Sequence, residues 1–153
     1  MYVSTTELAS RWKRLGGVLI DSFIAIIVTL PVVFSMVPLD QVARTGQMPL
    51  ELHVFILLFN IALLLAIHGY LLTRYGQTVG KLLVGTRIVN YENGQLLPFG
   101  KVVGLRYILI MIISQIPFIG GIFSLLDGLF IFRQDKRCIH DLIAGSKVVE
   151  AQA

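Results

Sequence analysis

The stretch LGGVLIDSFIAIIVTLPVVFSMV, from Leu15 to Val37, decides the fold class of this chain. It is 23 residues long, enough to cross the ~30 Å hydrocarbon core of a bilayer as a helix, and Asp21 is its only ionisable residue. The basic cluster Arg11-Trp12-Lys13-Arg14 precedes it and marks a membrane interface. A carboxylate at the depth of Asp21 costs at least about 2.5–3.5 kcal/mol unless it is paired, protonated or exposed to water. We therefore expect a membrane helix in which Asp21 has a partner.

The composition places the whole chain among integral membrane proteins. Of 153 residues, 56% are hydrophobic and 14% charged, and the mean hydropathy is +0.80. A soluble domain carries about 45–50% apolar and about 25% charged residues. The length allows a single domain, 1–153, and the net charge of +4 is spread over short loops, which argues against a nucleic-acid partner. The single cysteine, Cys138, excludes an internal disulfide.

Three further apolar segments come after the first one. Residues 52–72 form a second predicted span after a polar loop at 38–51. The apolar run 102–132 is too long for one span of ~20 residues, and Pro117 interrupts it. We therefore predict spans at 99–116 and 118–132, with a re-entrant hairpin as the alternative to two full crossings.

The distribution of Lys and Arg indicates the topology. These residues cluster before the first span, between 74 and 101, and after the last span, whereas the loop at 38–51 holds only Arg44. By the positive-inside rule, both termini and the central segment are cytoplasmic, which requires an even number of crossings.

An internal repeat supports four helices. The segment from Leu82 to Val89 matches that from Leu142 to Val149 by residue class, at a spacing of 60. His68-Gly69 and Asp127-Gly128 match in the same way at a spacing of 59. We predict an all-α membrane protein, a four-helix bundle made of two helix-pair repeats.

Two smaller elements are predicted outside the membrane. Ser4 and Glu7 have capping-box spacing, which favours a short interfacial helix running to Arg14. Alternating residues and the turn signal Asn93-Gly94 predict a small cytoplasmic β-hairpin from Arg87 to Pro98.

Four polar residues, one in each predicted span, fall at similar depths of roughly 6–9 Å inside the cytoplasmic boundary. They are Asp21, His68, Arg106 and Asp127. Carboxylates bind dehydrated cations and exchange them for protons when burial raises their pKa, and histidine titrates near neutral pH. The four therefore form a candidate ion and proton site. The alternative is structural: the two acids pair with Arg106 and Arg14 and hold the helices together.

Other chemistry finds no support in the sequence. His140-Asp141 in the C-terminal tail lacks a nucleophile motif, so a docking or capping role is expected for it. No set of His and Cys residues has the spacing of a metal site. We expect no enzyme activity, no cofactor and no metal.

The chain resembles the RDD family of bacterial membrane proteins over nearly its whole length. The resemblance rests on Arg11-Trp12-Lys13-Arg14 with Leu19-Ile20-Asp21, on the segment from Tyr75 to Val89, and on His140-Asp141-Leu142-Ile143-Ala144-Gly145. The family is named for an Arg and two Asp, which fall here on Arg14, Asp21 and either Asp141 or Asp127. Ser146 replaces the usual Thr of the last motif.

The resemblance implies an inner-membrane protein and, from some family members, exchange of monovalent cations for protons. The leading hypothesis is a small cation/proton antiporter that acts on Na⁺, Li⁺ or K⁺. Four short helices leave little room for a transport path, so we expect a homo-oligomer. The alternative is a membrane scaffold or regulatory module that acts through segments 74–101 and 133–153.

Overall fold

Two long helices dominate the molecule. A computed structural model describes residues 7–151 and shows α1 over Arg11–Met36 and α3 over Leu50–Tyr75, each of 26 residues, joined through a short helix α2, Leu39–Thr45. Few apolar side chains of α1 and α3 are buried, and both helices are long and apolar enough to cross a membrane. The spans predicted at 15–37 and 52–72 are confirmed as helices of this kind.

The second half of the chain contains shorter helices. A π-helical segment, Lys101–Ile108, continues as α5, Leu109–Ser114, and the chain breaks around Pro117 before α6, Ile119–Leu129, and a 3₁₀ turn, Phe130–Phe132. The predicted break between 99–116 and 118–132 is therefore present. The two helical segments on either side of the break, 101–114 and 119–132, each measure roughly 21 Å at 1.5 Å per residue. This is less than the ~30 Å hydrocarbon core, so their lengths do not establish four crossings.

The two strands come from the two halves of the chain. β1, Thr86–Asn90, pairs antiparallel with β2, Ser146–Glu150, and Ile88 lies opposite Val148. The predicted hairpin from Arg87 to Pro98 is therefore wrong. Gly94 N–H donates to Asn90 O at 3.0 Å, so the predicted turn forms, but the chain beyond it does not return as a strand.

Each strand comes after a short helix in the same way. α4, Val79–Leu83, leads through Gly85 into β1, and α7, Ile139–Ala144, leads through Gly145 into β2. Both glycines have left-handed φ angles, +69° and +65°, a conformation that side chains disfavour. The two strands also share the same order of buried and half-buried residues. The short-helix and strand part of the repeat is thus confirmed.

The main hydrophobic core lies at this sheet end, the part of the molecule formed by α4, α7, β1 and β2. It joins the strands to the end of α3 and to the π-helical segment, through Leu72, Ile88, Val102, Val103, Ala144 and Val148. The N-terminal segment also packs here, since Ala9 N–H donates to Val148 O at 3.1 Å and Leu8 bridges Val149. Residues 7–10 precede the helix, so the interfacial helix predicted from Ser4 is wrong for them, and residues 4–6 lie outside the described range.

Candidate functional site: a carboxylate at the wall of an interhelical cavity

Asp21 of α1 holds the first turn of α4. Its Oδ1 accepts a hydrogen bond from Gly80 N–H at 2.7 Å, and its Oδ2 accepts one from the Thr78 hydroxyl at 2.5 Å. The first N–H groups of a helix lack partners within the helix, and the helix dipole favours a negative charge beside them. Asp21 therefore caps α4 from a neighbouring helix, and its burial is compensated by these donors.

A close approach of two backbones makes this contact possible. A Cβ on Gly80 would lie 2.1 Å from Gly17 O and 2.9 Å from the carboxyl carbon of Asp21. A glycine at residue 80 is therefore required for α4 to reach α1.

His68 of α3 also contacts the first turn of α4, beside Asp21. Its Nδ1 accepts a hydrogen bond from Val79 N–H at 3.2 Å, which assigns the proton of the neutral ring to Nε2. Nε2 lies 3.9 Å from Asp21 Oδ1, beyond hydrogen-bond distance. The acid and the histidine are thus neighbours without a direct hydrogen bond.

These side chains border a cavity of about 240 Å³ between α1, α3 and the π-helical segment. Its polar lining residues are Asp21, Ser22, Asn60, His68, Lys81 and Tyr107. Asn60 is eight residues from His68, about 12 Å along α3, and accepts a hydrogen bond from Thr29 of α1 at 3.0 Å. The buried hydroxyl of Tyr107 has no hydrogen-bond partner among residues 7–151. The cavity therefore reaches from the Asp21 layer towards the middle of the long helices.

A second polar group surrounds Asp141, whose side chain is fully buried. Arg14 Nη2 lies 2.5 Å from Asp141 Oδ2, and Arg106 contacts Oδ1. The Ser146 hydroxyl donates to Oδ1 at 3.0 Å, and Cys138 N–H donates to Oδ2 at 3.1 Å. One carboxylate thus joins α1, the π-helical segment, α7 and β2.

The charge of Asp141 is stabilised by its neighbours. Burial would raise the pKa of this carboxyl group, but the guanidinium groups of Arg106 and Arg14 outweigh it and hold the pKa well below its usual range. Asp141 is therefore ionised in the folded protein, and its bond to Cys138 N–H caps α7 as expected for a docking or capping residue.

Asp127 of α6 meets the same short helix from another side. Its two oxygens contact His140, Oδ1 with the backbone N–H at 2.9 Å and Oδ2 with Nδ1 at 2.6 Å. The Cys138 thiol is close, and the donor atoms of Asp127, Cys138 and His140 all lie within 4.8 Å of one another. Burial raises the pKa of Cys138 to about 11 and lowers that of His140, so both groups are uncharged at neutral pH. The fold therefore assembles a set of metal-ligand types that linear spacing did not predict.

The structure separates the four residues predicted to share one layer. Asp21 and His68 lie together at the cavity, whereas Arg106 pairs with Asp141 and Asp127 pairs with His140. The alternative that Asp21 and Asp127 pair with Arg106 and Arg14 is wrong, since both arginines contact Asp141. Of the two acids that could be the second aspartate of the family motif, Asp141 is the one in contact with Arg14.

Known proteins with similar sequences identify the family of this chain. The RDD family model matches residues 8–145. A protein of Haemophilus influenzae is 36% identical over 83 residues, 53% of this chain and 49% of the relative, so the chain matches about half of that protein's length. The Bacillus subtilis protein YckC is 33% identical over 147 residues, 94% of this chain and 85% of its own length. Both relatives are described as uncharacterised proteins, and no solved structure matches. Because the family model covers most of its length, the chain belongs to the RDD family.

Proposed function

We propose that the protein is a secondary transporter that exchanges monovalent cations for protons at the cavity bordered by Asp21 and His68. One observation carries the proposal: a carboxylate and an imidazole stand together at the wall of a cavity between two helices of membrane-crossing length. An ionisable residue inside a membrane segment and facing a cavity is typical of ion and proton pathways.

The donor types at the cavity suit a small hard cation. Such ions prefer oxygen ligands, and Asp21 and Ser22 supply carboxylate and hydroxyl oxygens, while Asn60 adds an amide further along the cavity. His68 adds an imidazole group. The ordinary pKa of imidazole is near neutral, so this kind of group can bind and release protons at physiological pH. The buried side chain of Lys81 borders the same cavity, and we propose that it balances the charge of Asp21 when no cation is bound.

A second cavity supports a path across the membrane. It measures about 460 Å³ and lies at the other end of α3, near His53, with Gln41, Thr45, Gln47 and Gln115 among its polar lining residues. Asn60 lies between the two histidines of α3, seven residues after His53. Polar groups thus occur at both ends and in the middle of this helix.

The contacts of Asp21 suggest how a bound ion would be coupled to the protein. The ionised carboxylate holds α4 through Thr78 and Gly80, and protonation or cation binding weakens its attraction for these donors. Because α4 continues into β1, a change of charge at Asp21 reaches the sheet end. Exchange of ions at Asp21 therefore changes how strongly α1 binds α4, and with α4 the sheet end.

We propose that the chain crosses the bacterial inner membrane four times, with both termini and the sheet end in the cytoplasm. The excess of Lys and Arg at the sheet end supports this orientation. The outward-facing apolar surfaces contact lipid, and we propose that copies of the chain associate as a homo-oligomer, because one chain encloses a small cavity only.

Proton flux in proteoliposomes tests the proposal. The purified protein is reconstituted with a pH-sensitive dye inside the vesicles, and Na⁺, Li⁺ or K⁺ is added outside. We expect cation-dependent alkalinisation or acidification that Asp21→Asn abolishes and that Asp40→Asn leaves intact, since Asp40 pairs with Arg44 on an exposed surface. Absence of flux in the wild type, or equal flux in Asp21→Asn, would overturn the proposal.

The alternative function is a membrane scaffold or regulatory module that acts through its cytoplasmic surface. The observation that favours it is the number of buried charges that hold the sheet end together, including Asp141 with its two arginines. Wild-type protein that is folded but carries no flux in the same assay supports this alternative.

A further inference from the structure

We infer that Asp127, Cys138 and His140 form a binding site for a divalent transition-metal ion such as Zn²⁺. The three residues come from α6 and from the start of α7, so the site exists only in the folded protein. The site is separate from the Asp21 cavity, so the inference does not depend on cation/proton exchange.

The distances permit coordination of one ion. Zinc binds sulfur at about 2.3 Å and nitrogen or oxygen at about 2.0–2.2 Å, so tetrahedral neighbours lie about 3.4 Å apart. The three donor atoms lie within 4.8 Å of one another. The closest pair, Asp127 Oδ2 and His140 Nδ1 at 2.6 Å, has to open by less than an ångström, roughly 0.8 Å, to admit the ion.

The surroundings supply the outer contacts that metal ligands usually have. A ligating histidine generally donates its other ring N–H to a carboxylate. His140 Nε2 lies 3.7 Å from Asp141 Oδ2, so the nearest carboxylate is within a small movement of hydrogen-bond distance. Arg14 Nη2 lies 3.6 Å from the Cys138 sulfur and stabilises a thiolate there. Asp141 would orient His140, and Arg14 would support Cys138.

The proton balance of binding is simple. The S–H bond of Cys138 breaks, its sulfur binds the ion, and the thiol proton passes to solvent. The proton on His140 Nδ1 moves to Nε2 as Nδ1 becomes the ligand. Each ion bound therefore releases one proton, and its affinity rises with pH.

The mixed set of one sulfur, one nitrogen and one carboxylate oxygen selects the class of ion. Thiolate and imidazole favour Zn²⁺ or Co²⁺ over Mg²⁺, Ca²⁺ and the alkali ions, which prefer oxygen ligands alone. Three protein ligands leave one tetrahedral position for water, as in zinc sites open to exchange. A bound ion would tie α6 to α7 and stabilise the sheet end.

Cobalt binding to the purified full-length protein in detergent tests the inference. Because Cys138 is the single cysteine of the chain, a thiolate-to-cobalt charge-transfer band on addition of CoCl₂ reports this residue alone. We expect the band in the wild type, its loss in Cys138→Ser, and at least a tenfold weaker cobalt affinity in Asp127→Asn and His140→Gln. Serine is a favoured residue at a helix N-cap, the position of Cys138, so Cys138→Ser should remain folded.

The control is His53→Gln, a histidine at the other end of α3, which should leave the band unchanged. Zn²⁺ should displace cobalt and raise the unfolding temperature of the wild type more than that of Cys138→Ser. A missing band in the wild type would overturn the inference. A band that persists at full affinity in Asp127→Asn and His140→Gln would overturn it too, because the ion would then bind the thiol alone.

Discussion

Nη2 of Arg14 lies 2.5 Å from Oδ2 of Asp141, although the two residues are 127 positions apart in the chain and both side chains are buried. The start of α1 and the short helix α7 are thus joined by a buried charge pair. Loss of a buried hydrogen bond to a charged group costs more than the loss of an exposed ion pair, because the buried partner has no water to replace the missing donor.

Arg14→Ala should destabilise the protein by about 1–3 kcal/mol, because Asp141 keeps Arg106 as its counter-ion but loses a buried, charge-assisted hydrogen bond from Arg14. Thermal unfolding in detergent micelles measures the effect. The matched control is Arg44→Ala, which removes an exposed pair with Asp40 and should leave the unfolding temperature nearly unchanged. Equal unfolding temperatures for the two variants would contradict the role of the buried pair.

Gly80→Ala should separate α4 from α1. The added methyl group would lie 2.1 Å from Gly17 O, a contact that backbone has to move to relieve, so we expect a loss of at least about 1–3 kcal/mol. Gly69→Ala is the control, since a Cβ there meets nothing within 4 Å and alanine favours the helix. The measurement is again the unfolding temperature, and a Gly80→Ala protein as stable as Gly69→Ala would be evidence against the close approach.

The proposed topology predicts which loops face the outside of the cell. In a Cys138→Ser background, single cysteines at the exposed residues Gln47, Asn93 and Gln115 are treated with a membrane-impermeant maleimide in intact bacterial cells. We expect labelling of Gln47→Cys and Gln115→Cys, and of Asn93→Cys only after the membrane is permeabilised. Labelling of Asn93→Cys in intact cells would contradict a cytoplasmic sheet end, and no labelling of Gln115→Cys would contradict four crossings.

The long helices could be predicted from the sequence because hydropathy is a local signal. α1 and α3 differ from the predicted spans by a few residues at their ends. The partner of β1 could not be predicted from local signals, because Asn93-Gly94 indicates a turn but not whether the chain beyond the turn forms a strand. The signal for the true partner was present in the repeat, in which Ile88 corresponds to Val148, the residue that it faces.

The candidate site was predicted in part, because a residue count gives depth but not direction around the helix. The residue count predicted that Asp21 lies near His68, but it did not predict that Arg106 faces Asp141. Arg106 lies in a π-helical segment, where the rotation per residue differs from that of an α-helix. The packing of α6 on α7 brings together Asp127, Cys138 and His140. Their spacing in the sequence does not predict this cluster.

The pairing of β1 with β2 has a consequence for biogenesis. β1 is complete by residue 90, but the strand that pairs with it spans residues 146–150. The long helices α1 and α3 are made before either strand, whereas the sheet can close only after residues 146–150 have been made. Until then β1 has an open edge, and the first half of the fold depends on β2 to protect it.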